Sequence, residues 1–138
     1  MSSQSKQFYR AFNLPIYTAA VIPVLVGTSI AHYQQNLFDF GRFSLALLGL
    51  LFLQIGVNLA NDYFDSQTGV DEEKKDSFVL LVKNPKAILY FSLFFFLLGG
   101  VIGLYLDFTS QKHVILLIGF IGFVIAFFYS APPLRLSY

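Results

Sequence analysis

The sequence predicts an all-α fold, a polytopic bundle of four transmembrane helices. Two observations carry this. Of the 138 residues, 56% are hydrophobic and only 12% charged, against about 25% charged in ordinary soluble domains. The apolar residues also gather into four windows, each near the roughly 20 residues a helix needs to cross a bilayer core.

The windows cover about residues 14–31, 43–62, 87–106 and 114–130. In hydrocarbon every backbone N–H and C=O needs a partner within the protein, so spans of this length are predicted as helices. In the first, Pro15 suits a helix start and Pro23 predicts a kink. Lys6 and Arg10 precede it as in a signal peptide, but its apolar stretch is longer than a signal core and three more spans follow. The second and third windows contain the interval Phe43 to Asn61 and the interval Ala87 to Leu106, neither with a formal charge. Gly99 and Gly103 set a G-x-x-x-G step on the third, with Gly100 alongside, which predicts close helix packing. Gly119 and Gly122 take the same reading in the fourth window, which the Pro132-Pro133 pair ends. The phenylalanines of the Phe94-Phe95-Phe96 run are read as packing or lipid-facing.

Basic residues orient the bundle. Lys6, Arg10, Lys74, Lys75, Lys83, Lys86 and Arg135 fall on one side, and only Arg42 and Lys112 on the other. An excess of lysine and arginine marks the cytoplasmic side. The expectation is a multi-pass protein of the cell (plasma or inner) membrane, with both termini and the 62–86 loop in the cytoplasm. A formal net charge of +1 with no basic stripe argues against a nucleic-acid partner. With no cysteine, disulfide frameworks, thiolate nucleophiles and cysteine-bound zinc are excluded. His32 and His113 fall at the predicted outer boundaries and are read as interfacial.

One stretch breaks the apolar pattern. From Gln54 the chain runs through Asn58, Asn61, Asp62, Asp65, Gly69 and Asp71 to Asp76. At about 100° per residue, with Asn58 at zero, Asn61 falls near −60°, Asp62 near +40°, Asp65 near −20° and Gln54 near −40°. Two amides and two carboxylates therefore share one stripe. A carboxylate within the membrane costs about 2.5–3.5 kcal/mol on insertion scales, and neighbouring carboxylates repel. A hard divalent cation answers both problems, and Mg²⁺ commonly binds through one or two carboxylates plus substrate phosphates. The amides can hydrogen-bond phosphate oxygens without adding charge. A plain solvated helix end accounts for residues 71–76 but not for Gln54 and Asn58, which lie deeper. An EF-hand fails, because a loop begun at Asp65 has Gly69 at its fifth position and Asp76 at its twelfth.

At these residues the chain resembles the UbiA superfamily of intramembrane prenyltransferases. Asn61 and Asp65 match the first two positions of that family's first aspartate motif, and Gly69 with Asp71 gives the variant N-x-x-N-D-Y-x-D-x-x-x-G-x-D. This variant is similar to the menaquinone branch, the 1,4-dihydroxy-2-naphthoate polyprenyltransferases. The stretch Arg10 to Ala31 resembles that branch's first helix. Tyr129-Ser130-Ala131-Pro132-Pro133-Leu134-Arg135-Leu136 resembles the segment after its fourth.

The resemblance implies Mg²⁺-dependent transfer of a polyprenyl group from its diphosphate to an aromatic acceptor. It implies metal binding by Asp65 and Asp71 with Asp62, and diphosphate binding by Asn58, Asn61, Lys74 and Lys75. The partners implied are a polyprenyl diphosphate, the aromatic acceptor and the lipid bilayer. The family has about twice as many spans and a second aspartate motif, so the chain is expected to be an N-terminal half, inactive alone: a truncated gene product, a partial sequence, or one piece of a split enzyme partnered by a second half-protein. After Asp71 it also carries lysines where the branch usually has arginines. Two other readings stay open at this point: the same chemistry on another acceptor, and a catalytically silent four-helix membrane protein or isoprenoid-lipid binder.

Overall fold

The computed structural model describes residues 14–68, 77–82, 84–110, 113–129 and 131–133. A 3-10 turn, Leu14–Tyr17, leads into α1, Thr18–Gln35, and α2 follows at Phe40–Thr68. A short α3, Phe78–Val82, precedes α4, Pro85–Ser110, and α5 is Val114–Phe128. No strand occurs among the described residues.

Local chemistry explains the boundaries. Pro15 sits in the opening turn, and Thr18 Oγ1 donates to its carbonyl at 2.6 Å. Pro23 lies inside the continuous helix α1. Asn36 ends α1 in a left-handed conformation with φ 51°, its N–H donating to the His32 carbonyl at 2.8 Å; asparagine tolerates this region better than most residues. Asp39 Oδ1 accepts the Arg42 N–H at 3.0 Å and so caps α2. Asn84 Oδ1 accepts the Ala87 N–H at 3.3 Å, with Pro85 in the first helical position, where its missing N–H costs nothing.

Three helices, α1 with its leading turn, α2 and α4, are long and apolar enough to cross a membrane. The fourth expected span is the shorter apolar helix α5, whose 15 residues rise about 22 Å. Its last turn is cut by proline. The Ala131 N–H still reaches the Phe127 carbonyl at 3.1 Å, but Pro132 and Pro133 can donate nothing further. The other windows extend beyond their expected ends. In particular α2 runs six residues past Asp62 without a break.

The core is the α2–α4 contact. A Cβ on Gly99 would lie 2.7 Å from Leu53 Cγ and 3.0 Å from the Gly49 carbonyl oxygen, and one on Gly56 would lie 2.9 Å from the Phe96 ring. Only glycine permits this approach. Ser92, wholly buried, donates from Oγ to the Gly56 carbonyl at 2.8 Å. The expected packing role thus holds for Gly99, whereas a Cβ added at Gly100, Gly103, Gly119 or Gly122 would meet nothing within 4 Å. Of the phenylalanine run, Phe94 is exposed, Phe95 lies against Phe52, and Phe96 is buried. Phe96 meets Phe123 edge-on at 4.9 Å and Phe64 meets Phe127 at 5.7 Å, seating α5 on the bundle. Outward-facing Leu97, Phe108, Leu117, Ile118 and Phe120 are more than half exposed, a surface suited to lipid.

Candidate functional site

The polar stripe occupies the C-terminal turns of α2. Asn58, Asn61, Asp62 and Asp65 are all half-buried on this one uninterrupted helix, and Gln54 lies a turn deeper, also half-buried. The α1–α2 connection is short, residues 36–39, so the two helices run antiparallel and the start of α1 lies beside the end of α2.

Each polar side chain has a distinct setting. Asp62 Oδ2 accepts the Phe78 N–H at 2.9 Å, and Ser77 Oγ accepts the Val79 N–H at 3.2 Å. Together they satisfy the first donors of α3, and Asp62 ties this short helix down against α2. Asn58 lies beside the Tyr17 side chain of the turn that leads into α1. Asn61 Oδ1 is buried and has no hydrogen-bond partner among the described residues. Thr68 Oγ1 donates to the Asp65 carbonyl at 2.9 Å and Ser66 Oγ to the Tyr63 carbonyl at 2.6 Å, which serves carbonyls at the helix end.

Of the residues expected from sequence, the structure brings together Asn58, Asn61, Asp62 and Asp65. Asp71, Lys74 and Lys75 lie outside the described residues. No group of three His, Cys, Asp or Glu side chains converges among the described residues. The donor set nevertheless fits Mg²⁺. Two carboxylates and a buried amide oxygen are hard oxygen ligands. An unpartnered buried acceptor is costly until a cation or an N–H reaches it. Turned end for end, the same amide offers its NH₂ to a phosphate oxygen.

Sequence reasoning missed three features. Tyr17 gave no signal, since a tyrosine at a span boundary is ordinary. Ser77 and Phe78 looked like loop. Asp107 fell just past the expected end of its span, yet it lies within α4 and is wholly buried. Its carboxylate accepts the Leu116 N–H at 3.1 Å and pairs with His113 Nδ1 at 2.9 Å. His113, read as interfacial, therefore helps to pin the α4–α5 corner at the end of the bundle opposite the stripe.

Comparison with known proteins agrees with this architecture. Residues 20–138 match the UbiA prenyltransferase family. The chain is 34% identical over 134 residues to a 2-carboxy-1,4-naphthoquinone phytyltransferase of Synechocystis, covering 96% of this chain and 43% of that protein. It is 33% identical over 137 residues to the chloroplastic 2-carboxy-1,4-naphthoquinone phytyltransferase of Arabidopsis thaliana, covering 98% and 35%. It is 31% identical over 125 residues to the 1,4-dihydroxy-2-naphthoate octaprenyltransferase of Bacillus subtilis, covering 88% and 40%. The chain thus spans well under half the length of these curated relatives. No solved structure matches it. A membrane helix bundle with amides and carboxylates lined up at the end of its second helix, matched to one family over nearly its whole length, belongs to the UbiA prenyltransferase family.

Proposed function

We propose that this chain supplies one wall of a Mg²⁺-dependent site that transfers a polyprenyl group from an isoprenyl diphosphate to a naphthoate-type aromatic acceptor. The observation that carries the proposal is the α2 stripe, in which Asn61 Oδ1 is buried without a partner among the described residues, beside Asp62 and Asp65. The relatives that act on naphthoquinone-type acceptors by name support the acceptor class.

Asp62, Asp65 and Asp71 would hold the metal, and Asn58 and Asn61, with Lys74 and Lys75, would bind the diphosphate. Bound Mg²⁺ would neutralise charge on the leaving diphosphate. The C1–O bond of the prenyl group breaks with its electron pair leaving on the diphosphate; the electron-rich ring carbon attacks the resulting allylic cation, and the ring regains aromaticity by losing the group that carbon carried, a proton or, at a carboxylated position, carbon dioxide. Around that cation the apolar helix faces exclude water that would quench it. Asp62 has a second task, since it anchors α3 through the Phe78 N–H. The charge bias supports a stripe that faces the cytoplasmic side of the cell membrane.

The test uses membranes carrying the chain alone, supplied with Mg²⁺, a polyprenyl diphosphate and 1,4-dihydroxy-2-naphthoate. No turnover is expected without a complementary half-protein, and robust product would overturn the one-wall reading. Diphosphate binding is expected to persist weakly and to require Mg²⁺. Asp65→Ala should abolish that requirement, and an unchanged metal dependence would remove Asp65 from the site.

A further inference from the structure

The polar stripe does not end at the residues assigned to metal and diphosphate. Gln54 lies four residues before Asn58 and seven before Asn61 on α2, about 6 Å and 10 Å farther into the membrane. It is half-buried, and no hydrogen bond holds it to another described residue. Its direction follows from the seam between α2 and α4. A Cβ on Gly49 would meet Ile102, one on Gly56 would meet Phe96, and one on Gly99 would meet Leu53. With Asn58 set to zero, Gly49, Leu53 and Gly56 centre at roughly 180° around α2. Gln54, at about −40°, therefore turns away from α4, toward the side that Asn58, Asn61 and Asp65 share.

An amide at this depth is costly in hydrocarbon unless a polar group meets it. The chemistry of the reactants says which group that is. The diphosphate is held nearer the helix end, by the amides and carboxylates of the later turns. The isoprenoid chain is hydrocarbon and offers an amide nothing to bond. The aromatic acceptor remains. Its attacking carbon must come within about 3–3.5 Å of the prenyl carbon that leaves the diphosphate, so the ring lies next to the diphosphate on its membrane side. A hydroxylated naphthoate carries two kinds of oxygen. The carboxylate is an anion, costly near the bilayer centre, and stays toward the water and the metal. A ring hydroxyl is neutral and can turn inward, where an amide can accept its O–H or donate an N–H.

We propose that Gln54 is an acceptor-specificity residue: its amide hydrogen-bonds the ring hydroxyl farthest from the carboxylate and so sets the depth at which the aromatic acceptor sits beneath the diphosphate. The inference rests on the site reading above and adds to it a contact for the second substrate.

The contact can be removed from either side. With the 138-residue chain in anaerobic lipid nanodiscs, binding of 1,4-dihydroxy-2-naphthoate and of 1-hydroxy-2-naphthoate is followed by ligand fluorescence against empty nanodiscs. The second ligand lacks only the 4-hydroxyl. The unaltered chain is expected to prefer the dihydroxy ligand about three- to tenfold, the worth of one hydrogen bond. Gln54→Leu should erase that preference by weakening the dihydroxy ligand alone, whereas a glutamine that merely packs would lower both ligands together. Mg²⁺-dependent binding of geranylgeranyl diphosphate, measured by calorimetry, should be unchanged in Gln54→Leu and lose its metal dependence in Asp65→Ala. A Gln54→Leu chain that keeps the preference, weakens both naphthoates equally or also loses diphosphate binding overturns the acceptor role. So does an unaltered chain that binds neither naphthoate or shows no preference between them. With Asp65→Ala impaired, each of these outcomes leaves the metal–diphosphate site intact. Metal dependence that survives Asp65→Ala, or no Mg²⁺-dependent diphosphate binding by the unaltered chain, overturns the site reading and the inference together.

Discussion

At the residue scale, Asp62 ties two parts of the chain together: it accepts a backbone N–H from Phe78, sixteen positions along the chain. Asp62→Ala should therefore loosen α3, raising amide hydrogen exchange at Phe78 about ten- to a hundredfold, the usual worth of a bond to a charged acceptor. Asp62→Asn keeps an oxygen and should restore most of the protection, and Asp65→Asn should leave Phe78 unmoved. Equal exchange in all three would show that Asp62 does not hold α3. The stripe itself was legible from sequence because polar side chains inside an apolar window are conspicuous and costly. Tyr17 and Asp107 were not, since each takes its meaning from a partner: Asn58 on another helix for Tyr17, and Leu116 and His113 across a corner for Asp107.

At the scale of elements, glycine placement decides how closely α2 and α4 approach. Gly99→Ala would set a methyl 3.0 Å from the Gly49 carbonyl oxygen, a backbone atom that cannot swing aside. The expected loss is about 1–3 kcal/mol of stability, the usual cost of overpacking, measured by unfolding in mixed micelles. Gly103→Ala, with open space around it, should change stability by less than about 0.5 kcal/mol. A Gly103→Ala loss as large as that of Gly99→Ala would refute this account of the interface. Sequence predicted a glycine step on this helix, but a spacing of four cannot say which glycine faces a neighbour. Likewise hydropathy located the four windows, while their ends depended on caps, and α3 depended on a tertiary bond no local pattern encodes.

At the scale of the whole molecule, charge bias and packing bear on how the bundle sits in its membrane. The absence of cysteine makes single-cysteine labelling clean. In intact cells an impermeant maleimide is expected to label Leu37→Cys, on the exposed α1–α2 connection, and to spare Lys86→Cys until the membrane is opened. The reverse pattern would invert the orientation. Helix content and membrane class could be read from the sequence alone, because hydropathy averages over many residues. The shortness of α5 could not, because it depends on where two corners fall.

That shortness has a further consequence. A rise of about 22 Å leaves α5 about 8 Å short of a typical hydrocarbon core. Its first turn is held by the buried Asp107 carboxylate, so the shortfall collects at its other end, where Phe127 meets Phe64 of α2. A bilayer adapts to such mismatch by thinning locally. Such thinning would bring the water–lipid boundary beside α5 toward Phe64, the neighbour of Asp65. On the proposed function, an anionic headgroup would meet the stripe there while its isoprenoid chain stays in oil.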